Sequence, residues 1–168
     1  MLKKALRVAG ISLEVLMAGS LVLAVLLFWV PRLFRISPYT VLSGSMEPVI
    51  RTGSLCYIDR TAVFDEVENG DVIAFERMDG NCVLHRATRK EAGKIRTKGD
   101  ANGAEDLAAV NRENFLGKEV CSIPYLGYVT VFLQKKEGKA AVVVAAVFFL
   151  AGLFGQVCRK EGKEYEKT

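Results

Sequence analysis

The sequence predicts a mainly β soluble domain flanked by two transmembrane α-helices, and three observations carry that prediction. Half of the residues are apolar (51%) while 25% are charged, too much charge for a polytopic bundle and too much apolar content for disorder. The charges are unevenly placed: Glu14 is alone between Val8 and Val30, and none falls between Ala140 and Val157. Between these blocks lie short apolar stretches bounded by turn residues, the pattern of strands. The organisation expected is a cytoplasmic tail at 1–7, a first span at 8–30, an extracytoplasmic domain at 31–139, a second span at 140–157 and a cytoplasmic tail at 158–168.

The first block, 23 residues long, matches the roughly 30 Å of a hydrocarbon core at about 1.5 Å per helical residue. A cleavable leader would have a shorter apolar stretch and small residues at its end, whereas this one ends in Phe28-Trp-Val-Pro-Arg32. Glu14 is costly inside a membrane unless it reaches the interface or a partner, and snorkelling to the edge is the simpler expectation. The second block has 18 residues and one strongly polar side chain, Gln156, so a buried core helix competes with a span. Basic residues flank both of its ends. Lys3, Lys4 and Arg7 ahead of the first block, against Arg32 and Arg35 behind it, favour a cytoplasmic N-terminus.

In the middle, strands are expected at Ser54-Leu-Cys-Tyr-Ile-Asp59, Asp71-Val-Ile-Ala-Phe-Glu76, Cys82-Val-Leu-His-Arg-Ala87 and Gly117-Lys-Glu-Val-Cys-Ser-Ile123. The Asp79-Gly-Asn81 turn suits a hairpin joining Phe75 to Val83. No run of 10–12 residues there has a convincing helical period, so the domain is expected to be all-β. From Pro31 to Lys139 there are 16 Lys and Arg against 15 Asp and Glu, without the basic excess that holds nucleic acid. No CxxC pair occurs and there is one histidine, so no metal site and no cofactor is expected. An extracytoplasmic disulfide among Cys56, Cys82 and Cys121 is left open.

The chemistry-bearing residues are His85, on a predicted strand, and a Ser43-Gly-Ser-Met-Glu-Pro48 turn soon after the first span. Each alone is ordinary: a strand histidine is usually packed, and a Ser-Gly-Ser turn is usually a loop. Together they supply a hydroxyl that needs a base to attack a carbonyl and an imidazole suited to be that base near neutral pH. Thr97-Lys-Gly-Asp100 and Asp106 offer two carboxylates to orient the imidazole, and their spacings from His85 do not decide between them.

These residues resemble the membrane-bound type I signal peptidases of the endoplasmic-reticulum and archaeal kind, also found in Gram-positive bacteria. Four blocks stand in that family's order: Val41-Leu-Ser-Gly-Ser-Met-Glu-Pro48, Asn69-Gly-Asp-Val-Ile-Ala-Phe75, Val83-Leu-His-Arg86, and Thr97-Lys-Gly-Asp100 with Asp106. Arg51-Thr-Gly-Ser54 and the stretch from Gly117 to Gly127 extend the likeness to roughly residues 38–130. A histidine where the ordinary bacterial branch has lysine places the chain in the serine-histidine branch.

The resemblance implies a signal-peptidase-like β fold and a serine endopeptidase that removes signal peptides from secreted preproteins after small residues. Ser45 would be the nucleophile, His85 the general base and Asp100 or Asp106 its orienting carboxylate. The Ser45 N–H and the Ser43 hydroxyl would form the oxyanion site, and Tyr39 and Val41 would wall the substrate pockets. Partners implied are preprotein signal peptides and membrane lipid, with secretion-machinery or accessory subunits left open, and the location implied is the cytoplasmic membrane. Ala101 departs from the family's usual run after Gly-Asp. The competing readings are a non-catalytic membrane-anchored β binding module and a self-cleaving serine-lysine peptidase using Lys98.

Overall fold

The structure, a computed structural model, describes the backbone of residues 1–165 and the side chains of Met1 and residues 10–152. The chain divides into two compact units, Phe28–Val131 and, separately, Met1–Leu27 with the chain from Phe132 onward.

The first unit holds a six-stranded antiparallel sheet of order β1-β2-β6-β3-β4-β5. Its strands are β1 (Ile36–Thr40), β2 (Leu55–Asp59), β3 (Val72–Glu76), β4 (Cys82–Glu91), β5 (Lys94–Lys98) and β6 (Phe115–Ile123). The strands expected at 54–59, 71–76 and 117–123 form within two residues of those bounds as β2, β3 and β6, and β4 runs four residues beyond Ala87. Central β3 is buried on both faces, which is why it reads as an unbroken apolar run. Ile73 and Phe75 pack with Phe64, Ala87, Ile95 and Val110 on one side, and Val72 and Ala74 with Met46, Ile50, Cys56 and Ile58 on the other. The expected hairpin forms in the expected register, Phe75 opposite Val83.

Two strands lie outside the sequence reading, for different reasons. β1 contains Pro38, which cannot donate to a ladder; it is tolerated because β1 is an edge strand paired only with β2. β5 alternates Lys94, Arg96 and Lys98 with buried Ile95 and Thr97, so its composition looks like a polar loop. It joins β4 through Ala92 and Gly93, both at positive φ (48° and 73°), the backbone of a two-residue hairpin turn.

The all-β expectation for residues 31–139 is corrected by two α-helices, besides a single 3-10 turn at Phe64–Glu66 and the start of a long helix at Lys136. A short α2 (Val30–Leu33) follows Trp29, and Pro31 in its first turn cannot donate to the Leu27 carbonyl four residues back. The other, α3 (Leu126–Gln134), has strand-like composition, Tyr128-Val-Thr-Val-Phe-Leu133, and is held by backbone contacts instead. The Gly127 N–H donates to the Gly53 carbonyl at 2.9 Å, and the Thr130 hydroxyl, 2.6 Å from the Gly127 carbonyl, meets that of Thr40 at 2.6 Å. Cys56, Cys82 and Cys121 are all free thiols, which closes the question of a disulfide among them. Burial, with Glu119 and Cys121 nearby, pushes the Cys56 thiol up to about 12.

The other unit contains α1 (Leu2–Phe28) and α4 (Lys136–Tyr165). Among the described residues one helical stretch, Gly10–Leu33 with mean hydropathy 2.4, is long and apolar enough to cross a membrane. The stretch expected as a second span, 140–157, lies inside α4, and its residues beyond 152 have side chains outside those described.

Gly117 supplies a test of the sheet. It sits at a bulge between β3 and β6 with φ of 149°, and a Cβ there would collide with the Asp59 carbonyl and Ile58. Gly117→Val is expected to cost about 2–4 kcal/mol, read as a lowered Tm of the detergent-solubilised chain. Gly103→Ala, with nothing within 4 Å of its added Cβ, should leave Tm nearly unchanged.

Candidate active site

Leaving β1, the chain makes a closed loop. The Val41 N–H donates to the Ser54 carbonyl at 2.9 Å and the Gly53 N–H to the Val41 carbonyl at 2.8 Å, so both ends of 41–54 are tied together. Gly53 has φ of 80° and lies beneath the Tyr128 ring, which leaves no room for a side chain. Inside the loop, Met46 and Ile50 are buried anchors, and Glu47 Oε1 accepts from both the N–H and the hydroxyl of Thr52. Ser43 and Ser45 are thereby held above the core with their hydroxyl oxygens 3.3 Å apart.

His85 lies on β4 opposite Ile73 of β3, its ring edge-on to Phe75, and is only 7% exposed. Its Nδ1 is 2.6 Å from Asp106 Oδ2, and the Thr97 hydroxyl donates to that same oxygen at 2.6 Å. A carboxylate acceptor at Nδ1 makes this the protonated nitrogen of the neutral ring and leaves Nε2 as the basic one. Asp106 reaches this position because the segment after the 99–102 turn runs back along β5. The Asp106 N–H donates to the Thr97 carbonyl at 2.8 Å, and Val110 and Ile95 exchange backbone bonds at 2.8 Å.

Asp100 is placed differently. Its two oxygens accept from Arg86 Nε at 2.8 Å and Nη2 at 2.6 Å, and Arg86 Nη1 donates to the Gly70 carbonyl at 2.7 Å. The Asp100 carboxylate raises the Arg86 pKa further above its ordinary value, so the guanidinium is a fixed charge. The turn carrying Asp100 presses on the serine loop: the Ala101 N–H donates to the Ser45 carbonyl at 2.9 Å, and a Cβ at Gly99 would stand 2.6 Å from that carbonyl. Ala101 therefore contributes its backbone, which any residue with an N–H could supply.

A cavity of about 560 Å³ opens between the two arms of the site. Tyr39, Val41, Ser43, Ser45, His85 and Asp106 all line it; Asp100 and Lys98 do not, Lys98 standing on β5 opposite Arg86. Asn102 and Met46 line it as well, and the sequence reading had singled out neither. Thr97, Gly99 and Arg86 stand within the family-like blocks but carry no chemistry that marks them singly in the sequence. A prediction of β5 would have exposed Arg86, because pairing Arg86 with Lys98 puts Asp100 two residues away. No group of His, Cys, Asp and Glu fit to hold a metal ion occurs among the described residues.

Residues 13–100 match the family described as signal peptidase, peptidase S26. The chain belongs to that family. Among curated relatives, it is 34% identical over 107 residues to the signal peptidase complex catalytic subunit SEC11 of Verticillium alfalfae, an alignment covering 56% of this chain and 62% of that protein. The SEC11 subunit of Colletotrichum graminicola gives 35% over the same shares, and that of Fusarium vanettenii 30% over 125 residues, 67% of this chain and 73% of the relative. The chain thus spans 62% of the length of the first two relatives.

For this peptidase-family chain the Arg86–Asp100 pair gives a structural test. The side chains are 31% and 15% exposed, so removing one partner strands a half-buried charge. Arg86→Met is expected to lower stability by about 1–3 kcal/mol, measured by thermal unfolding in detergent. The double variant Arg86→Met with Asp100→Leu should recover part of that loss, since no charge is then left unpaired.

Proposed function

We propose that the chain is a membrane-bound serine endopeptidase that removes signal peptides from preproteins after small residues. The observation that carries the reading is the 2.6 Å contact of His85 Nδ1 with Asp106 in the wall of the cavity that Ser45 also lines. In this mechanism His85 Nε2 takes the Ser45 proton as Oγ attacks the scissile carbonyl, and Asp106 fixes the tautomer and stabilises the imidazolium. The oxyanion is held by the Ser45 N–H and the Ser43 hydroxyl. His85 then protonates the leaving amine, and a water activated by the same imidazole hydrolyses the acyl-enzyme. Asp106 is favoured over Asp100 as the orienting carboxylate because both Asp100 oxygens are engaged by Arg86. Tyr39 and Val41 would wall the pockets for small side chains at the first and third positions before the cut.

The chain would belong to the serine-histidine branch that also occurs in Gram-positive bacteria, anchored in the cytoplasmic membrane by segments 8–30 and 140–157. The domain at 31–139 would face away from the cytoplasm and both tails, 1–7 and 158–168, toward it. Lipid and preprotein signal peptides are its partners, and the SEC11 relatives, named as subunits of a signal peptidase complex, support accessory subunits.

Cleavage of a synthetic preprotein by the solubilised chain tests the chemistry. Ser45→Ala and His85→Ala are each expected to lower kcat by at least about a thousandfold, with Tm unchanged for Ser45→Ala and lowered for His85→Ala, which empties a buried site and leaves Asp106 without its imidazole; wild-type cleavage by His85→Ala would remove the serine-histidine mechanism. Asp106→Asn should lose rate with stability nearly intact, whereas Asp100→Asn should lose stability more than rate. His85→Lys should retain a trace of activity with a higher pH optimum, because lysine acts as a base only when deprotonated.

Topology is tested on sealed protoplasts carrying a tag after Thr168. Protease added outside is expected to degrade the middle of the chain and spare the tag. Digestion of the tag across a sealed membrane would rule out the second span, and protection of the middle would rule out the orientation together with the peptidase reading.

A further inference from the structure

The described faces of the two long helices are exposed almost throughout, with one matched exception on each. Between Gly10 and Leu26 the half-buried positions of α1 are Glu14 and Met17, three residues apart; between Lys139 and Gly152 those of α4 are Phe149 and Gly152, also three apart. Residues at that spacing share one helical face. Glu14 and Gly152 meet: a Cβ added to Gly152 would stand 2.6 Å from Glu14 Oε1 and 3.3 Å from its Cδ. The described glycines of α1, Gly10 and Gly19, have nothing within 4 Å of such an atom, and the nearest atoms at Gly138 of α4 are the backbone of Phe132 and Leu133, so of these glycines Gly152 is the one whose nearest neighbour is on the other helix.

We propose that Glu14 and Gly152 form an interhelical lock that pairs α1 with α4 in the bilayer, so that the partner of the N-terminal span is the C-terminal helix of the same chain. The physical reason is the solvent. Lipid offers no hydrogen bonds, so a carboxyl group within a span is costly unless a neighbouring helix covers it, and a glycine on that helix leaves room for the carboxyl end. Met17, one turn after Glu14 in α1, and Phe149, one turn before Gly152 in α4, are half-buried on the same faces. Glu14 stands early in α1 and Gly152 late in α4, the placement that an antiparallel hairpin of two spans brings to one membrane surface. The lock rests on the proposal that both helices lie in the membrane and is independent of the catalytic assignment.

The test is disulfide crosslinking of the full chain in phosphatidylcholine–phosphatidylglycerol vesicles, with Cys56, Cys82, Cys121 and Cys158 changed to serine. The pair Met17→Cys with Phe149→Cys is expected to oxidise within one chain. The exposed pair Leu16→Cys with Phe148→Cys should not. Adding Gly152→Leu or Glu14→Leu should cut the yield of the first pair at least fivefold, while Gly152→Ala should leave it near the parent because the end of the Glu14 side chain can swing aside. Equal yields for the two pairs, a yield indifferent to both leucine substitutions, or disulfides formed between two chains would each overturn the lock. A protected tag after Thr168 without the crosslink removes the lock alone; a digested tag removes the second span and the lock together, and leaves Ser45-dependent cleavage as a separate measurement.

Discussion

The register of β4 between β3 and β5 is the constraint on which the rest of the site depends. Alternate residues of a strand point to opposite faces, so a slip of one position would exchange the environments of His85 and Arg86. Register puts His85 opposite Ile73 and Arg86 opposite both Val72 and Lys98. From it follow two separate carboxylate contacts made by adjacent residues. The imidazole takes Asp106, and the guanidinium takes Asp100 and the Gly70 carbonyl. Buried Val72, Ile73, Ala74 and Phe75 hold this register, because a slipped β3 would lose the packing of both apolar clusters.

The two aspartates illustrate how one side-chain type is given two tasks by its surroundings. Asp106 receives the imidazole and the Thr97 hydroxyl on one oxygen, and its backbone is sewn to β5. Asp100 is saturated by a two-pronged guanidinium and stabilises the turn whose backbone grips the Ser45 carbonyl. Among the described residues no buried side-chain polar atom lacks a partner, as expected of a site whose geometry is set before a substrate arrives.

Much of this was legible in the sequence, and the gaps have physical causes. β2, β3 and β6 are readable because their apolar runs are bounded by turn residues; Ser45 and His85 stand out because serine and imidazole are complementary chemistry, and Ser43 through the family resemblance, and all three line one cavity. β1 is hidden by Pro38, and β5 by the three basic residues on its outward face. Without β5 the course of residues 99–110 cannot be followed, so the choice between Asp100 and Asp106 is tertiary information. The helix at Leu126–Gln134 is hidden for the opposite reason: its β-branched and aromatic residues suggest a strand, and hydrogen bonds from Gly127 and Thr130 hold it as a helix.

β6 is the last strand in the chain yet occupies the centre of the sheet, between β2 and β3. Until residue 123 has been synthesised, β1 and β2 on one side and β3, β4 and β5 on the other have no ladder joining them. Tyr128, which covers Gly53 at the base of the serine loop, comes later still. The order of strands in space therefore acts as a clock on biogenesis: a nascent chain that carries every residue of the site, from Ser43 to Asp106, still lacks the strand that brings its two halves together.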